Sequence, residues 1–159
     1  MDGGYEQALN DCQLELDSIR LWINTNKLHT NVRYLVAYAV VKSCGTIERV
    51  LKLMLFDHFN QNANAEATSH FSNYLLEASF NPSPGQIEKQ LAIINASWKD
   101  AFCLKIKDTN QKGQLKSLVE LRNSFSHGTP ITSSIDEVIT YFNAGRWVLI
   151  QLNDVMHNR

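Results

Sequence analysis

Arg122, Asn123 and His127 stand in the stretch LVELRNSFSHG, residues 118–128, and are the side chains of this chain best suited to phosphate chemistry. A guanidinium makes paired bonds to phosphate oxygens, an imidazole exchanges protons near neutral pH, and an amide can fix a ring tautomer or hold a phosphate. Leu115, Leu118, Val119, Leu121 and Phe125 fall on one arc of the helix expected here, and Arg122 falls inside that arc. An unpaired charge in such a place loses several kcal/mol of hydration, so Arg122 needs an anion or a wet interface. Asn123 and His127, four residues apart, share a neighbouring face, where the amide can orient the ring. Gly128 offers a helix stop, which puts His127 in the last turn with freedom to swing toward the arginine. The set suits cleavage of a phosphodiester without a metal. Glu48 and Ser126 are candidate supporting residues. A purely structural alternative has His127 stabilised by the helix dipole and Arg122 paired with Glu48.

The cleavage expected, on the strength of the family resemblance given next, is transesterification of RNA, in which the ribose 2′-hydroxyl attacks the adjacent phosphate. His127 would be general acid or base, Arg122 would neutralise the phosphorane, and Asn123 would position the ring or the phosphate. The reaction needs both an acid and a base, and the motif holds one histidine, so a two-fold dimer is expected to join two motifs. Lys99, Lys105, Lys107, Lys112 and Lys116 precede Arg122, with Asp100, Asp108 and Glu120 the only acids nearby, which makes this segment the expected path of an RNA backbone. An ordinary solvated face explains the same lysines. The five histidines lack the spacing or carboxylate clustering of a metal site, so neither metal nor other cofactor is expected.

R-N-x-x-x-H near the end of a late helix, as Arg122, Asn123 and His127 stand, resembles the signature of the HEPN superfamily, the higher eukaryotes and prokaryotes nucleotide-binding helical domains. The resemblance spans most of the chain as a pattern of helices, including a long second helix with CGTIERVLK, residues 44–52. It implies an all-α, usually dimeric fold and a metal-independent endoribonuclease of toxin–antitoxin or phage-defence type, with a possible cognate antitoxin. Other members of the superfamily have lost catalysis and serve as dimerising or binding modules for a protein or nucleotide. HEPN toxins paired with a nucleotidyltransferase tend to carry a tyrosine two residues after the histidine. Thr129 stands there in this chain, which argues against that mode of control.

A chain of 159 residues, 44% hydrophobic and 19% charged, is long enough for one well-buried core and short for two. Its net charge of −1 excludes a globally basic surface, so RNA must be held by a local patch. Cys12, Cys44 and Cys103 are odd in number and widely spaced, as expected for reduced thiols in a cytoplasmic protein. No apolar run approaches the ~18 residues that suggest a membrane span.

The elements that must position the motif follow from apolar spacing. Leu9, Cys12, Leu16, Ile19 and Ile23 mark a helix over residues 5–26, and a second runs over 32–59 despite Gly45. A shorter helix is expected over 65–79, ended by NPSPG. Ser83, Pro84 and Gln86 signal the next start, and that helix runs to about residue 96. Ser97 is the candidate cap for a segment carrying Trp98, Phe102 and Ile106, and KIKDTNQKG reads as a mobile connection. The motif helix covers 111–127. Ser134 and Glu137 form a capping box for the last helix, whose stripe is Ile135, Val138, Phe142, Gly145, Leu149, Leu152 and Met156. Trp22, Trp98 and Trp147 are expected core anchors, with base stacking by Trp98 or Tyr141 as the alternative. The expected fold is a single-domain, HEPN-like all-α bundle of five or six helices.

Overall fold

The computed structural model describes residues 1–61, 63–72 and 81–157. Seven helices and no strand occur among them: α1 (Gly3–Thr25), α2 (Val32–Asn60), α3 (Ala65–Phe71), α4 (Pro84–Ile94), α5 (Ala96–Ile106), α6 (Asn110–Ser126) and α7 (Ile135–Met156). Six are substantial, and α3 has only seven residues. The part of the expected third helix beyond residue 72 lies outside the described residues.

The core forms where the spacing placed it. The buried residues of α1 are Leu9, Cys12, Leu16, Ile19 and Ile23, the five that defined its face. All seven residues of the α7 stripe are buried. Helix α2 lies against α1, α6 and α7, while α6 packs on α7 along much of its length. Gly145 makes this three-way contact possible. A Cβ there would come within 2.2 Å of Ile47 Cδ1 on α2 and 3.3 Å of Leu115 Cδ1 on α6. The missing methyl therefore fixes how closely the motif helix sits between α2 and α7.

Helix ends explain where the elements break. Ser134 and Glu137 form both halves of the capping box at α7. At α4, Pro84 takes the first helical position as expected, but Ser83 makes no side-chain cap. The cap of α5 is Asn95, not Ser97. Its Oδ1 accepts from the N–H groups of Ser97 at 2.9 Å and Trp98 at 3.2 Å, so one extended residue ends α4 and starts α5. The expected mobile connection after α5 is instead a three-residue turn. Asp108 adopts φ 57, and Thr109 Oγ1 donates to the Ile106 carbonyl and accepts from Lys112 N–H. No helix among the described residues is long and apolar enough to cross a membrane.

Candidate active site

The motif occupies the last turn and a half of α6. Leu115, Leu118 and Val119 are buried, Leu121 is half-buried, and Phe125 is 41% exposed, so the helix leaves the core as it approaches His127. Backbone bonds close it. His127 N–H donates to the Asn123 carbonyl, Gly128 N–H to that of Phe125, and Thr129 N–H to that of Ser124. Gly128 sits at φ 84, and the last two bonds form the paired arrangement of a Schellman stop. The sequence signal of a glycine at this point thus has a specific geometric cause.

Arg122 is half-buried on the side of α6 that meets α2. Its guanidinium lies close enough to the thiol of Cys44, which is 1% exposed, to act on it electrostatically. Burial pushes that thiol up to about 11, and Arg122 draws it partly back, so Cys44 remains protonated near neutral pH. Arg122 makes no ion pair with a carboxylate among the described residues, and its Nε is buried without a hydrogen-bond partner. Glu48, the partner the structural alternative assigned it, pairs with Lys52 at 2.8 Å one turn along α2. Glu48 is still near enough to act on the Cys44 thiol. Cys44 was legible in the sequence only as a small core residue; its place beside Arg122 depends on how α2 crosses α6.

His127 is exposed at the C-cap, with φ −94 and ψ 13, and its ring makes no hydrogen bond among the described residues. The expected side-chain link from Asn123 to His127 is absent there; the bond between these residues runs through the backbone. Asn123 is half-buried and lines a groove of about 420 Å³ together with Lys112 and Lys116. Ser126 Oγ donates to the Arg122 carbonyl at 2.9 Å, one turn back along α6.

The lysines divide into two groups. Lys112 pairs with Glu88 at 2.9 Å and Lys116 with Glu120 at 3.6 Å, both along the groove that reaches Asn123. Lys105 pairs with Asp154 on α7, and Lys107 follows α5 as its cap; neither lines that groove. Among the aromatic residues, Trp98 stands edge-on to His58 at 4.7 Å and packs partly buried against the core, as does Trp147. Trp22 is 37% exposed and meets His29 edge-on, so it is not the core anchor expected.

A half-buried arginine with no counter-ion among the described residues thus stands one turn and a half before an exposed imidazole on a closed helix end, within an all-helical framework. The profile of the family described as RiboL-PSP-HEPN matches residues 7–158. The chain belongs to the RiboL-PSP-HEPN family. It is therefore a HEPN domain over nearly its whole length, and the described residues form the all-helical fold that goes with this membership. No curated protein and no solved structure matches the chain.

Proposed function

We propose that this HEPN domain is an endoribonuclease that cuts single-stranded RNA by transesterification, using no metal. The observation that carries the proposal is the unsatisfied Nε of Arg122, a buried charged donor with no carboxylate to neutralise it among the described residues. Leaving a buried donor unpaired costs about 1–3 kcal/mol, and a site that receives an anion recovers that cost on binding. In the reaction, a base removes the 2′-hydroxyl proton and the 2′-oxygen forms a bond to phosphorus. The bond from phosphorus to the 5′-oxygen breaks, and an acid protonates that oxygen. The products are a 2′,3′-cyclic phosphate and a 5′-hydroxyl. Arg122 faces the charge on the phosphorane, His127 moves a proton, and Asn123 holds the strand or the ring.

An in-line displacement puts the attacking 2′-oxygen and the departing 5′-oxygen on opposite sides of phosphorus, where one imidazole does not reach both, so the proposed site is completed by a second copy. Two observations support a self-contact near the motif. Phe125 of α6 is exposed, as are Tyr34, Tyr38 and Val41 of α2. Gly45, in the middle of the long α2, is exposed with nothing within 4 Å of where its Cβ would be, so its own chain makes no use of the space. A homodimer with α2 against α2 would use it. The biological setting proposed is cytoplasmic, in a toxin–antitoxin or phage-defence system.

A second function, as a binding module for a partner protein, is favoured by the groove of about 430 Å³ between α1 and α2. Ile19, Trp22, Leu35 and Tyr38 line it. Tyr38 also belongs to the α2 face proposed for the dimer, so an inhibitory antitoxin docked there would compete with the second copy and block catalysis. Assay of RNA cleavage separates the two functions: Arg122→Ala and His127→Ala are each expected to lose about 100-fold or more, as removal of one transition-state donor or proton-transfer group does elsewhere. Full cleavage by both variants would leave only the binding module.

A further inference from the structure

One face of α6 carries Lys112, Gly113, Lys116, Val119, Glu120 and Asn123 along a single groove, whose other wall is the start of α4. The groove begins at a motif residue and runs about 17 Å up the helix, from eleven residues at 1.5 Å each. That is enough for up to about five stacked nucleotides at ~3.4 Å per step. Its polar lining supplies both kinds of contact an RNA backbone uses. Lys112 and Lys116 offer ammonium groups, with side chains 43% and 69% exposed. Asn81, Ser83 and Asn123 offer groups able to bond phosphate and 2′-hydroxyl oxygens. Ser83 makes no cap bond with its hydroxyl, which leaves that donor available.

The lysines are held by Glu88 and Glu120, yet this does not disqualify the groove. Both are partly exposed surface pairs, of the kind worth at most about 1 kcal/mol, and a phosphate readily takes the place of the carboxylate. Shape points the same way. Gly85 and Gly113 face this groove from opposite walls, both are exposed, and at neither would a Cβ meet another segment within 4 Å among the described residues. A helical glycine is less stable than alanine, and the packing of the chain itself gives no reason for either. A passage kept open along the groove does.

We infer that this groove binds the single-stranded RNA on one side of the scissile phosphate, with Lys112 and Lys116 on flanking phosphates and Asn123 at the end nearest the cut. The inference rests on the ribonuclease function proposed above. It gives the site a direction: nucleotides on one flank of the cut are gripped by α6 and α4, and those on the other flank are not. Lys105 and Lys107, outside the groove, take no part.

The test uses the full chain carrying His127→Ala, a labelled single-stranded oligoribonucleotide and binding measured across a salt series. In that background, Lys112→Gln with Lys116→Gln is expected to flatten the salt dependence by about 1.4 in slope, from two contacts at ~0.7 each. This corresponds to a loss of up to about 25-fold at 0.1 M salt. Lys105→Gln with Lys107→Gln is expected to leave the slope unchanged. Gly113→Leu serves as a second probe that should fold at least as well, because leucine favours the helix; it is expected to weaken RNA binding while the melting temperature stays level or rises. Unchanged affinity in both the lysine pair and Gly113→Leu would overturn the groove, as would absence of RNA binding at low salt. Cleavage by the His127→Ala chain at the wild-type rate would instead refute the catalytic function, and this outcome is read separately from binding.

Discussion

Replacing Arg122 with methionine should make the protein more stable and inactive, and the two effects together discriminate sharply. Methionine keeps the unbranched stem that lies along α6 and α2 and removes the guanidinium. The structure gives the balance. Lost is the electrostatic contact of the guanidinium with the Cys44 thiol, worth at most about 1 kcal/mol. Relieved is the unsatisfied buried Nε, which costs about 1–3 kcal/mol. No ion pair is broken, because the nearby Glu48 is held by Lys52. The net gain is about 1 kcal/mol, or about 2–4 °C in melting temperature for a domain of this size. Thermal unfolding followed by circular dichroism measures it, and cleavage of single-stranded RNA is assayed on the same samples. If Arg122 were a structural ion, the variant would instead lose about 3–5 kcal/mol as a stranded partner charge was left behind. A fall in melting temperature of ten degrees or so would refute the reasoning.

Gly145→Ala should destabilise the domain even though alanine is the better helix former. Its methyl would meet Ile47 Cδ1 at 2.2 Å, and overpacking of this kind costs about 1–3 kcal/mol against a propensity gain of about 1. Adding Ile47→Val, which removes that Cδ1, should recover part of the loss in a melting experiment, and simple additivity would count against the clash. Gly128→Ala should cost about 1 kcal/mol through the left-handed φ of 84, and because it loosens the Schellman stop it should lower RNA cleavage more than global stability would require. His58 is held below the usual histidine range, chiefly by burial and then by His157. Its unfolded state therefore binds a proton first, so stability is full above about pH 6.5 and declines as pH falls through the depressed folded value. His58→Gln should flatten that decline in urea titrations run from pH 7 to 5, and an unchanged pH profile would remove His58 as its source.

How much was legible in advance depended on which interactions were local. The buried faces of α1 and α7 follow from spacing alone, because each requires only that one stripe meet any apolar partner. The Ser134 capping box and the Gly128 stop were equally local, each fixed within five residues. Asn95 was missed as the α5 cap because Ser97 is an equally good capping residue; the choice depends on α4 ending in one extended residue that only the packing of α4 against α5 and α6 defines. The short turn at Asp108 was hidden by polar composition that suits mobile and tight connections alike. At the site, the motif and its helix end were readable, whereas the thiol beside Arg122, the diversion of Glu48 to Lys52 and the groove that selects Lys112 and Lys116 all arise from contacts between distant segments. No periodicity within a helix encodes those contacts.

Whether Arg122 and His127 cut RNA through its own 2′-hydroxyl is tested most directly by the ends of the products. A single-stranded oligoribonucleotide should yield fragments ending in 2′,3′-cyclic phosphate and beginning with 5′-hydroxyl, identified by mass. The same oligonucleotide with deoxyribose 5′ to the cut should remain whole, as should the ribose form incubated with His127→Ala. Cleavage of the deoxy-substituted strand, or 5′-phosphate ends from the wild-type protein, would contradict the account.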